Sequence, residues 1–192
     1  MAQPPSSRRR GPKPATAAYL ENAALHYLER FASSSGNLKR VLMRKVERSA
    51  RLHGTDVASG ARLVDEIIAR YLRSGLLDDR AYAAQKAASL RRRGASRYAI
   101  RGKLAVKGVG GDLIDATLEA ETAASELAAA CALVRRRRLG PCRPPGARAG
   151  LRQKDLAALA RAGFSLDLAR RVLGVGDEAA LAALERGEAE SG

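Results

Sequence analysis

Tryptophan is absent from this 192-residue chain, aromatic residues make up 4% of it, and cysteine and histidine occur twice each. Each shortage closes a class of readings. Cys131 and Cys142 cannot build a disulfide framework, and with the scattered His26 and His53 they do not make a zinc site. Reduced thiols in a cytosolic protein is the reading they leave. Sustained Val/Ile/Thr alternation is missing, and so is any Asn-Gly hairpin signal, which argues against β-sheet. No apolar run approaches membrane-spanning length. No hydrophobic segment follows Arg8-Arg9-Arg10, so a secretory signal is not expected either.

What is present is alanine, leucine and positive charge. Hydrophobic residues make up 46%, much of it alanine, which buries little area per residue. The expected core is therefore thin and built from closely approaching helices. Lys and Arg number 35 against 20 Asp and Glu, a formal charge of +15. Such an excess attracts polyanions, nucleic acid first among them, and favours a monomer by self-repulsion.

Signals for catalysis are weak. Gly102-Lys103 lacks the glycine five residues earlier and the following Ser/Thr of a phosphate-binding loop. The glycine-rich 108–112 stretch lies between two predicted helices without the strand that a dinucleotide site needs, so helix-end glycines explain it. No Ser-His-Asp or Cys-His arrangement suggests itself. Neither an enzyme nor a cofactor or metal site is expected.

Along the chain, residues 1–15 hold four prolines and four basic residues with no apolar period, a flexible basic arm. A helix from Thr16 to Phe31 and a second marked by Leu38, Val41, Leu42 and Val46 follow. After a loop over 53–60, a third runs from Ala61 to Arg73 with Leu63, Val64, Ile67, Ile68, Tyr71 and Leu72 in helical register. The same grammar recurs over Asp79–Arg93, Ser96–Lys107 and Asp112–Leu118, then over Glu121–Arg137, Leu151–Ala162 and Ser165–Leu173. Leu104-x-x-x-Gly108-Val109 aligns with Leu159-x-x-x-Gly163-Phe164. The predicted fold is all-α, an elongated solenoid of three tandem three-helix repeats over 16–77, 78–119 and 120–174. The Pro/Gly-rich 140–150 reads as a flexible loop. An acidic tail over 175–192 allows a short helix over Asp177–Arg186; it could fold back on the basic repeats, but a solvated tail is the favoured reading.

The chain is organised around Gly75 to Val109. Asp78-Asp79 caps a helix carrying Ala83, Ala87 and Leu90; Gly94 stops it, and Ser96 caps the next, with Ile100 and Leu104 on one face. Between Arg80 and Lys107 there are nine Lys/Arg and no acid. Leu76-Leu77-Asp78-Asp79-Arg80, the arginine run, the Arg101-Gly102-Lys103-Leu104 step and Lys107-Gly108-Val109 together resemble the signature of the RecX family, small bacterial regulators of the RecA recombinase. The match is dense from Arg62 to Leu118. The first repeat departs from the family pattern, with Ser35-Gly36-Asn37-Leu38-Lys39 where an acidic Ser-x-x-Glu-Leu start is usual, and the third carries the proline-rich insertion.

Arg91, Arg92 and Arg93 end the first helix of the second repeat. Arg97, Arg101, Lys103 and Lys107 line its second helix. Arg135, Arg136, Arg137 and Arg138 end the first helix of the third repeat. The helix dipole favours a cation or two at such ends, but not runs of three and four. These eleven residues are the predicted binding surface, and replacing Arg91–Arg93 by alanine is expected to weaken binding without loss of helicity. Tyr82 and Tyr98 flank it; either could stack on a base or a partner ring, but at helical positions packing between repeats is the favoured expectation.

The resemblance implies a partner: the RecA–single-strand DNA filament. In its groove such a protein blocks extension or promotes disassembly, suppressing recombinase, ATPase and coprotease activities and so regulating DNA repair. The rival expectation is a free-standing DNA-binding helical protein. Repeated Arg and Lys position on phosphates and do not specify bases, which favours non-sequence-specific contact in either case.

Overall fold

The computed structural model describes residues 13–119 and 122–190, so most of the predicted basic arm lies outside the described residues. All regular structure among the described residues is helical. None of the helices is long and apolar enough to cross a membrane. The chain divides into two compact units between Asp78 and Asp79.

The first unit holds α1 (Ala17–Leu28), α2 (Ser35–His53) and α3 (Val57–Arg73). Each begins on a short oxygen side chain that takes up otherwise orphaned N–H groups: Thr16 accepts from Tyr19, Ser34 from Asn37, and Asp56 from Ala58 and Ser59. Hydrogen bonds from Ser59 hold the Asp56 carboxyl below its usual range. Leu38, Leu42 and Val46 recur every fourth residue on α2 and bury against Val64, Ile67 and Ile68 of α3 and Leu20 of α1. The predicted loop over 53–60 shrinks to 54–56. Because Asp56 caps α3, Gly60 falls inside the helix, where a Cβ would collide with Val46.

The second unit holds two three-helix sets and one more helix. The first set is α4 (Asp79–Arg92), α5 (Arg97–Val106) and α6 (Gly111–Glu119), closed on Ala83, Leu90, Ile100, Leu104 and Leu118. The other is α7 (Ala123–Arg137), α8 (Pro145–Arg161) and α9 (Leu166–Gly174), around Leu127, Leu133, Leu159, Phe164 and Leu173. α10 (Glu178–Glu190) follows.

Four of these helices end alike. The N–H of an apolar residue just past the helix folds back on the carbonyl five residues earlier: Ala95 on Leu90 (3.1 Å), Val109 on Leu104 (3.2 Å), Leu139 on Val134 (3.0 Å) and Phe164 on Leu159 (3.2 Å). The aligned Leu-x-x-x-Gly steps of the sequence are two copies of this closure.

Two expectations are corrected here. The stretch over 140–150 is not a flexible loop but a 3-10 turn (Gly140–Cys142) running into α8. Asp155 of α8 reaches back and accepts from Gly140 N–H (2.8 Å) and from Arg143 at both Nε and Nη2 (2.8 Å each), while Pro145 fits the first helical position. The Arg143 guanidinium holds the Asp155 carboxyl below the usual carboxylate range. Nor are the described residues of the C-terminal stretch a solvated tail: they fold back on the third repeat, the less favoured of the two readings. α10 packs on α7 through buried Leu181 and half-buried Leu184, and Glu185 pairs with Arg135 at 2.6 Å. Alternating Ala/Leu and acidic positions gave α10 an apolar face narrow enough to pass for a tail.

Candidate nucleic-acid interface

The second unit brings its two three-helix sets together at the ends of α4 and α8. Gly94, past the end of α4, has φ +76°, and a Cβ there would lie 2.6 Å from Leu133 N and 2.9 Å from Ala129 O on α7. Gly163, past α8, has φ +88°, and its Cβ would meet Ser96 Oγ at 2.7 Å and Tyr98 Cβ at 2.8 Å. Only glycine supplies both the left-handed turn and the close approach at these two points. Between them, Ser96 Oγ caps α5 by accepting from Ala99 N–H (3.1 Å) and donates to Ala162 O (2.5 Å).

Glu126 of α7 completes the junction. Its carboxylate accepts from the Arg97 backbone N–H at the start of α5 (3.1 and 3.2 Å) and pairs with the Arg91 guanidinium. Arg91 also donates to Ala95 O (3.1 Å). With its side chain 9% exposed, Arg91 is an internal strut. Its placement in the predicted binding surface is therefore corrected.

A groove of about 420 Å³ opens along this junction. Arg93 from the end of α4, Lys103 from α5, Arg136 and Arg137 from α7 and Arg161 from α8 line it, with Tyr98 at its edge. No carboxylate is among its lining residues, and none of the five cations is ion-paired among the described residues. Five unneutralised charges around one apolar-floored groove make a strong local positive potential.

The other predicted residues lie elsewhere. Arg92, Arg97 and Arg138 are exposed outside the groove. Arg101 pairs with Asp115 of α6, and Arg135 with Glu185 of α10. Lys107 is half-buried at the end of α5. Arg138 holds the left-handed conformation (φ 51°) more often filled by glycine.

Sequence reasoning missed one residue, Arg161, and set the wrong one of two alternatives first at another, Tyr98. Arg161 belongs to no run of basic residues, being set apart from Arg148, Arg152 and Lys154 of the same helix by the Leu156–Ala160 stretch, and only the glycine step after it hinted at a junction. Tyr98 was expected to pack between repeats, yet it is 74% exposed; only the base of its ring rests against Gly163. Tyr82 does pack, against the core of its own repeat. Burial pushes the Cys131 thiol up to about 11, which suits an inert core residue. Among the described residues no group of His, Cys, Asp and Glu is placed to hold a metal ion.

Fold and site together define a class: a small protein of three-helix sets with an open cationic groove between two of them. The family model described as RecX, second three-helix domain, matches residues 78–118. Regulatory protein RecX of Myxococcus xanthus (strain DK1622) is 45% identical over 179 residues, covering 88% of this chain and 94% of the relative. Regulatory protein RecX of Agrobacterium fabrum (strain C58 / ATCC 33970) is 29% identical over 162 residues, covering 84% and 85%. A crystal structure of regulatory protein RecX superposes with a TM-score of 0.57 at 23% identity, over 82% of this chain and 71% of that one, and shares the fold. The chain belongs to the RecX family of regulatory proteins.

Proposed function

We propose that this protein binds the RecA–single-strand DNA filament and modulates it, with inhibition of recombinase, ATPase and coprotease activity as the direction of its effect. The observation that carries the reading is the groove of five cations without a carboxylate. A filament offers such a surface both nucleic-acid phosphates and acidic side chains. Arginine meets either with a planar, two-pronged fork. Membership of a family of regulatory proteins supports the same reading, and occupancy of a filament groove regulates without any catalytic residue in this chain. The protein acts in the cytoplasm, where the recombinase works, and binds as a monomer.

The test is RecA ATPase activity on single-strand DNA while this protein is titrated, with its binding to bare DNA measured alongside. Inhibition well below the RecA concentration, at levels that do not coat bare DNA, is the expected result. Inhibition only once the DNA is saturated would hand the function to a free-standing DNA-binding protein that acts without RecA.

A further inference from the structure

The geometry points to a single-strand nucleotide site on Tyr98, in which an unpaired base stacks on the exposed phenol ring while the flanking phosphates lie on the groove cations. This deepens the function proposed above and rests on that reading of the groove. Three observations carry it. The first is the ring itself: an aromatic 74% exposed, in a chain with 4% aromatics, at the edge of the five-cation groove. The second is that the ring is anchored. Ser96 caps the helix directly before it, and the backbone of Gly163 lies close under Tyr98 Cβ and Cδ1, so close that no side chain fits at 163. A ring fixed at its base and bare beyond it is a platform, and fixing it beforehand lowers the entropy lost on binding.

The third observation is the charge pattern around it. Arg93, Lys103, Arg136, Arg137 and Arg161 come from four different helices and converge beside the ring. Cations arrayed beside an aromatic face are the pairing that holds single strands: the groove tracks the backbone and the ring takes a base. Duplex DNA presents base edges and not faces, so it can use the cations but not the ring. Every base has a face to stack, and the groove cations lie where the backbone runs, so the site takes single strands with little preference for sequence.

The test uses the full-length protein and two fluorescent oligonucleotides of equal length and charge, oligo(dT) and a strand with abasic positions throughout. Stacking on an aromatic side chain contributes enough that Tyr98→Ala weakens oligo(dT) binding about fivefold or more. The same substitution leaves abasic-strand affinity unchanged, and Tyr98→Trp restores oligo(dT) binding. Equal loss on both strands, or no loss on oligo(dT), would overturn the site. RecA ATPase inhibition by each variant separates the two claims. Loss of inhibition with oligo(dT) affinity intact would mean that Tyr98 meets an acidic protein surface and not a base, overturning the nucleotide site while sparing the regulatory function. Tyr98-dependent oligo(dT) binding with no effect of the wild-type protein on RecA would uphold the site and sink the filament reading.

Discussion

The ends of α4 and α7 carry the same kind of arginine run, and the structure divides both runs in the same way. In each the first arginine turns inward to a glutamate on another helix: Arg91 to Glu126, Arg135 to Glu185. In each a later member, Arg93 at one end and Arg136 with Arg137 at the other, faces the groove. The two inward pairs differ in depth. Arg91 and Glu126 are 9% and 21% exposed, whereas Arg135 and Glu185 are each about one-third exposed, at 32% and 31%. A run of like charges is therefore not one feature: its first member ties its helix to a neighbouring one, and the helical turn carries the next ones to solvent.

The largest expected effect comes from forcing the two helix ends apart. Gly94→Ala places a Cβ against the α7 backbone in a left-handed conformation and should cost about 3 kcal/mol, read as a fall in the urea midpoint. An unchanged midpoint would mean that the contact between the two sets is looser than described.

Glu126→Ala comes next. It strands a nearly buried guanidinium and removes the acceptor at the start of α5, for a loss of about 2.5 kcal/mol, a little less than full burial of both partners would give because Glu126 is 21% exposed. Arg135→Ala breaks the shallower pair, in which solvent screens much of the attraction, and should cost about 1 kcal/mol or less. Equal losses at the two sites would erase the distinction between them.

A third inward arginine, Arg143, sharpens the comparison through pH. Asp155→Asn should lower stability at pH 7 by about 2 kcal/mol, because two charge-assisted hydrogen bonds are weakened. The folded-state pKa of Asp155 lies below the usual 3.8, so the unfolded chain binds the proton first as pH falls. The stabilising contribution is thus present above about pH 4 and lost below it. The gap between wild type and variant should start to narrow in acid denaturation curves as pH falls below about 4 and keep narrowing through the lower folded-state pKa; a gap that is constant from pH 7 down through the acid limb would show that Arg143 holds Asp155 by something other than charge.

The helices themselves were legible because their signals are local. Ile67, Ile68 and Tyr71 fall on one stripe, Ser96 precedes a helix it can cap, and Gly94, Gly108 and Gly163 each follow a leucine at the spacing of a helix closure. The division of the arginine runs was not legible, because Glu126 is 35 residues from Arg91 and nothing in either neighbourhood names the other. Arg143 illustrates the same limit at shorter range. Without Asp155 as its partner, a segment with three prolines and three glycines reads as mobile. Tyr98 was misjudged because helical phase places a residue on a face, while exposure depends on what a different repeat sets over that face. Gly163 sets only backbone there, and the ring stays bare.

The most direct test is the salt dependence of single-strand DNA affinity. With about five phosphates engaged, the wild-type log–log slope should be near −3 to −4. Replacing Arg93, Arg136 and Arg137 together by alanine should weaken binding and flatten the slope by about 2, with helicity and denaturation midpoint unchanged. Arg135→Ala should leave the slope at its wild-type value. A triple variant with wild-type affinity and slope, or an Arg135→Ala variant that flattens the slope as much, would contradict the assignment of the groove.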